Sequence, residues 1–163
     1  MAKCTVFGIG QFYKNMQTLD KQTRNIVKGG LAEGAGYAAD ELRDALDTLP
    51  IRPDKYEKRQ HSQKFRGVTE SEFAQITNNF GIAHFKESGG SWNTSVGFHG
   101  TVHTPSPMFN DEVPTGMLVQ CVEYGTEFRQ GVHLLAKAIN KSKDTVAQKI
   151  QDYIDKETEK ILN

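Results

Sequence analysis

A chain of 163 residues is long enough for one domain with its own core, and 20 basic side chains balance 20 acidic ones. That balance excludes a global field for holding nucleic acid or an anionic membrane, so affinity of that kind needs a local patch or a ring of copies presenting one face. The modest apolar fraction, 37%, fits a helix-rich protein with much solvated surface, or a subunit that finishes its burial against neighbours.

Cys4 and Cys121 lie far apart and are too few for a secreted disulfide scaffold, so both are expected as thiols. The first seven residues lack the apolar core of a signal peptide, and no stretch reaches the ~20 apolar residues of a membrane helix. The expectation is a protein made and kept in a cytoplasm.

Residues 5–9 form a short apolar segment, either an edge strand or a lead-in to a helix. Phe12, Met16 and Leu19 then sit at helical spacing, and Asp20 offers an N-cap for a longer helix reaching about Thr48. Ile26, Val27, Leu31, Ala35, Ala38, Leu42, Ala45 and Leu46 make its apolar stripe, and Pro50 and Pro53 end it. Gly29, Gly30, Gly34 and Gly36 lie within that helix. With no Gly-Lys-Ser/Thr and no preceding buried strand, they read as places of close helix packing or a kink, not as a phosphate cradle.

Residues 52–66 are polar and net basic, a solvated segment unless it faces DNA phosphates. Thr69-Glu70-Ser71-Glu72 has the form of a capping box, opening a short helix with Phe73, Ile76 and Phe80 on its apolar face and Gly81 as its stop. Residues 82–85 and 94–98 flank the Gly89-Gly90 turn as a hairpin, with Trp92 beside it. A proline-rich loop over 100–116 follows. Residues 117–124, rich in β-branched and aromatic side chains, read as a strand returning to the sheet, broken by Gly125. From Val132 the pattern is helical to the end, with a bend or break at 140–142.

Chemistry is hard to find along this order. His99 and His103 are four apart, but on a strand and loop without a third ligand nearby. His84 is expected to hydrogen-bond within or beside a strand. Cys121 reads as a buried, inert thiol, and there is no Gly-x-Ser-x-Gly elbow. Glu123 invites a general-base reading, but a carboxylate there more often faces solvent or pairs with a base such as Arg129. No catalytic set, metal or cofactor is expected.

Three phrases carry a resemblance: Leu49-Pro50-Ile51-Arg52 closing the long helix, Asn93-Thr94-Ser95-Val96-Gly97-Phe98, and Val122-Glu123-Tyr124-Gly125-Thr126 before the last helix. Together they resemble a family of tailed-bacteriophage tail or neck components, typified by gene product ten of phage HK-ninety-seven. The likeness runs from about Gln11 to Ile161. It departs where the family often has a His-Pro-Phe-type phrase, since Phe128-Arg129-Gln130-Gly131-Val132-His133 stands there instead.

The resemblance implies a structural virion protein with a tail-terminator-like fold, set at the head-proximal end of a tail or tail-like particle. The expected architecture is one α+β domain over 1–163, a long N-terminal helix and a C-terminal helix packed on a mostly antiparallel β-sheet. Its expected partners are copies of itself in a six-fold ring, the tail tube protein, and head-closure, connector or sheath proteins. Contact with DNA in the channel would be non-specific, and no membrane is involved. Glu123, Tyr124, Gly125 and Thr126 are the expected interface turn, with Phe128 and Arg129 placed to anchor a neighbour. The 100–116 loop is the candidate for reaching the next ring. Two other readings stay open: a cytoplasmic adaptor or assembly chaperone acting as monomer or dimer, and a hydrolase with a dispersed site.

Overall fold

The computed structural model describes residues 9–54, 64–89, 91–105 and 109–162, with side chains from Tyr13 onward. The expected strand or lead-in at 5–8, the Cys4 thiol and most of the basic segment lie outside the described residues.

Helix α1, Ile9–Asp47, is a single element of 39 residues, roughly 58 Å long by helix geometry. It passes through Asp20 without a break, because nothing between Tyr13 and Thr23 is a proline or glycine that would stop it. Its end tightens through Leu49 N–H donating to the Leu46 carbonyl at 2.9 Å, just before Pro50. Helix α4, Leu135–Leu162, is likewise continuous and runs through the expected bend at 140–142.

The two long helices run antiparallel, and the glycines explain how closely. A Cβ on Gly29 would lie 2.4 Å from the Tyr153 hydroxyl, and one on Gly34 would lie 2.5 Å from Ile150 Cγ1. A Cβ on Gly30 would meet Ile150 and Ile154 at 3.2 Å. The close-packing reading therefore holds for these three, whereas Gly36 has nothing within 4 Å. Near one end of the pair, the Asn15 side-chain amide donates to the Leu162 carbonyl at 3.2 Å.

Between the long helices the chain forms short strands. These are β1 (Ile51–Arg52), β2 (Phe65–Arg66), β3 (Val68–Thr69), β4 (Phe80–Ile82), β5 (Lys86–Ser88), β6 (Ser91–Asn93), β7 (Val96–Phe98), β8 (Thr101–His103), β9 (Glu112–Pro114) and β10 (Arg129–Gln130). Among the described residues they pair as five two-stranded ladders, not as one sheet. Three ladders are antiparallel (β4–β7, β5–β6, β8–β9) and two are parallel (β1–β3, β2–β10). The α+β class, the two terminal helices and the mostly antiparallel pairing stand; the single sheet is instead a set of small ladders.

The hairpin is present and longer than expected. An inner ladder pairs Phe80 with Phe98 and Ile82 with Val96, and an outer one pairs Glu87 with Trp92 near the turn. The Trp92 ring lies under the Lys28 ammonium (4.3 Å) and the Arg24 guanidinium (5.3 Å), and Arg24 also pairs with Glu87 at 2.7 Å, so the hairpin tip is fastened to α1. Residues 100–116 are more ordered than a plain loop, since their two ends form the β8–β9 ladder.

The capping box is real. Thr69 caps α2 (Glu70–Asn78) by accepting from Glu72 N–H, while the Glu72 carboxylate accepts from Thr69 N–H. The helix ends at Asn79, two residues before the expected Gly81 stop.

The largest correction is at 117–124. This segment belongs to helix α3, Thr115–Tyr124. Its buried residues Thr115, Leu118, Val119, Val122 and Glu123 recur at the helical offsets of three, four, seven and eight. A strand would have put Val119 and Val122 on opposite faces, whereas both join the core with Leu42, Leu46, Leu49, Val68, Ile76, Phe80, Val102 and Val132. Burial period outweighed the β-propensity of Val, Cys and Tyr.

The α1–α4 seam gives a direct test. Gly34→Val should destabilise the protein by about 1–3 kcal/mol through overpacking against Ile150. Gly36→Ala, in open space on the same helix, should stabilise it by about 0.5–1 kcal/mol. Urea denaturation followed by circular dichroism measures both, and equal effects from the two changes would dismiss the seam as the reason for the glycines.

Candidate functional site

The six residues expected at an interface divide into interior and surface sets, and the division follows from what each side chain can bond. Glu123 lies near the end of α3 and is only 4% exposed. Its Oε2 accepts from the backbone N–H groups of Leu134 and Leu135 at 3.0 and 3.1 Å, and its Oε1 from that of Ala136 at 2.9 Å. These are orphan donors at the start of α4, and a carboxylate there also meets the positive end of the helix dipole. Glu123 therefore neither faces solvent nor pairs with Arg129; it fastens α4 to α3.

Gly125 makes the crossing that allows this. Its φ is +86°, and a Cβ there would lie 2.8 Å from the Gly131 nitrogen. Gly131 is equally constrained, since its own Cβ would lie 2.8 Å from the Glu123 carbonyl oxygen. The two strands of chain pass so closely that Val132 N–H bonds the Val122 carbonyl at 3.0 Å. Thr126 tightens the intervening turn, its hydroxyl accepting from Phe128 N–H and Arg129 N–H at 3.2 and 3.0 Å.

Arg129, expected to anchor a neighbour, points inward. Its guanidinium donates to both Glu72 oxygens at 2.9 and 3.1 Å and to the Gly67 carbonyl at 2.9 Å. The two side chains are 9% and 3% exposed. Glu72 Oε1 also accepts from the Thr104 hydroxyl at 3.0 Å, and the Phe65 ring lies 4.2 Å from the guanidinium carbon. This pair joins α2, the β2–β10 ladder and the segment after β8. The capping box made Glu72 legible as a helix cap, but nothing local announces a partner 57 positions away.

Tyr124 and Phe128 are left on the outside, 67% and 64% exposed. Met117 and Ile139, which the sequence reading did not single out, are exposed beside them on α3 and α4. Tyr124 and the His133 ring stand in a T-shaped arrangement, 6.1 Å between centroids. A groove of about 390 Å³ opens between the helices, and Glu123 contributes to its lining along with Val119, Gln120, Tyr124, Leu135 and Ile139. The exposed side of α3 carries no charged group, because Glu123, its one carboxylate, is buried. The arrangement can bury apolar surface against another macromolecule, with two aromatic rings held on a stiff mount.

Of the residues considered for chemistry, His84 and His99 line one concavity on the hairpin. His103 lies on β8, where its backbone N–H donates to the Gln75 side chain at 2.8 Å. Among the described residues no group of three or more His, Cys, Asp or Glu could hold a metal ion. Cys121 is a half-buried free thiol on a helix, not a strand. Among those same residues no helix is long and apolar enough to cross a membrane. Comparison with protein-family models, curated proteins and solved structures returns no match.

Two predictions follow from the interior groups. Arg129→Met should cost about 3–5 kcal/mol, since it strands a buried carboxylate, and Glu72→Gln/Arg129→Met should cost clearly less. Denaturant titration of the two variants checks this, and a double variant weaker than the single would reject the pair as the origin of the cost. The second concerns Asp54, which accepts from Ser71 N–H at 3.1 Å and from its hydroxyl at 2.9 Å. These bonds, the backbone one foremost, hold its carboxyl below the ordinary value. A value depressed on folding contributes stability above the unfolded-state value, and that contribution disappears as pH falls through the folded-state value. Ser71→Ala should raise the Asp54 midpoint in a carbon-detected NMR titration, and an unchanged midpoint would count against the hydroxyl's part.

Proposed function

We propose that this chain is a structural subunit that works by assembling with copies of itself, as a ring at the head-proximal end of a phage tail or tail-like particle. The observation that carries the assembly reading is the pair Tyr124 and Phe128. Both rings are about two-thirds exposed beside a charge-free helix face, on a turn fixed by Gly125, Gly131 and the Glu123 cap. Leaving two aromatics in water costs a lone subunit burial it could have used, whereas interfaces concentrate aromatic and methionine side chains at their centres. The station on a phage tail is supported by the three sequence phrases resembling tail and neck components, two of which border this surface or its hairpin.

In this reading the ring matches the symmetry of the tail tube, and its other face receives the head connector. The long α1–α4 pair stiffens each subunit along its length, and the short ladders and α3 provide the lateral contacts. Assembly is the function; no chemical step is needed.

The experiment is light scattering of the purified protein over a concentration series, with negative-stain imaging, alone and with tail-tube protein. Tyr124→Ala/Phe128→Ala should yield a folded protein with an unchanged far-ultraviolet spectrum that no longer assembles. Two truncations at about 2 kcal/mol each weaken a pairwise contact by about a thousandfold. Wild-type-like rings from the double variant would refute the assignment of this surface.

A further inference from the structure

The hairpin carries a second surface, whose lining holds no Asp, Glu, Lys or Arg. Gly81 and Gly97 are cross-strand partners in the β4–β7 ladder. The pairing extends one step each way, with Ala83 N–H bonded to the Ser95 carbonyl at 2.8 Å and His99 N–H to the Asn79 carbonyl at 2.9 Å. Side chains alternate across a ladder, so Phe80, Phe98 and Val96 turn to the core while Gly81, Gly97, Ala83 and Ser95 share the outer face. A shallow concavity of about 400 Å³ opens here, lined by these four residues with Ile82, Phe98, His84 and His99.

Glycine inside a strand weakens it and often marks a place where another group approaches the backbone. At other glycines the approaching group is visible, Tyr153 over Gly29, Ile150 over Gly34 and Gly131 against Gly125, while Gly36, Gly89 and Gly116 stand in open space. At Gly81 and Gly97 no described atom comes within 4 Å of the Cβ position. Two paired glycines thus weaken a two-stranded ladder without serving any close contact among the described residues. An aromatic ring laid over a cross-strand glycine pair restores the missing packing, and the same chain exposes two such rings on α3 and its following turn.

We propose that Tyr124 and Phe128 of one copy seat on the Gly81–Gly97 window of the next copy. The window is lined by no carboxylate, ammonium or guanidinium, and the exposed Glu127 carboxylate, between the two rings in sequence, stays at the wet rim of the contact. The two surfaces differ, so the contact is head-to-tail and propagates around a ring instead of closing a two-fold dimer. This rests on the assembly reading above and specifies its geometry: knob and window, each used once per subunit.

Mixing two assembly-defective variants tests it. Gly97→Val fills the window with a side chain suited to a strand, and Gly81→Val does so from the partner strand should the first variant fold poorly. Tyr124→Ala/Phe128→Ala removes the knobs. Each variant alone should stay monomeric by light scattering, while an equimolar mixture should give a one-to-one heterodimer and nothing larger, because only one intact knob and one intact window remain to meet. A well-folded Gly97→Val protein that assembles like wild type would overturn the contact. So would a mixture that stays monomeric, and so would a Gly97→Val protein that dimerises by itself, the outcome expected if the α3 surface pairs with its own copy. Wild-type protein that never assembles would instead defeat the assembly reading itself, a result separable from the others.

Discussion

The buried ion pair between Arg129 and Glu72 is the constraint on which the middle of this protein depends. Two opposite charges removed from water are costly to bury, and the cost is offset only where every donor and acceptor finds a partner. Here the carboxylate accepts from Arg129, from Thr69 N–H and from the Thr104 hydroxyl, while the guanidinium also reaches the Gly67 carbonyl. None of the ladders nearby is long enough to hold itself together; β1, β2, β3 and β10 have two residues each. The pair supplies what ladder length does not. It fixes α2 relative to the turn after α3, and so decides where Phe128, one residue before Arg129, emerges at the surface.

Glu123 does the corresponding work one element later. Its carboxylate satisfies three consecutive amides at the start of α4 and thereby sets the direction of a 28-residue helix. That helix lies along α1 because Gly29, Gly30 and Gly34 leave room for Tyr153, Ile150 and Ile154. A cap of three hydrogen bonds and a row of absent side chains thus determine the long axis of the molecule. Two acidic residues that could have been read as catalytic or solvated are spent on architecture.

Legibility in the sequence followed the range of the interaction. The Thr69–Glu72 capping box, the hairpin around Gly89 and the close packing at Gly29 and Gly34 were readable because each depends on neighbours or on a single residue's missing side chain. Helix α3 was misread because its apolar residues satisfy strand propensity, and only the positions of buried partners reveal the period; Leu118, Val119 and Val122 are helical by what they touch. The single sheet failed for a related reason, since strand-like segments do not announce which of them pair. Of the candidate surface, Tyr124 and Phe128 lie exposed, while Arg129 and Glu123 turn inward to partners that pattern alone does not specify.

Interior order and exterior function are linked at the turn over 124–131. Evenly buried aromatics would have made a more stable lone subunit, yet this turn uses two glycines, a threonine hydroxyl and two buried acids to hold Tyr124 and Phe128 in water. Rigidity of that kind has little value to a solvated loop, whose ends are free to relax. It has value where a side chain must arrive at a partner already oriented, because ordering completed during folding is not charged against association. The hairpin shows the complementary economy, a backbone left bare at Gly81 and Gly97 on an otherwise anchored ladder. In the contact proposed above, preformed knobs and a preformed window need no rearrangement to meet.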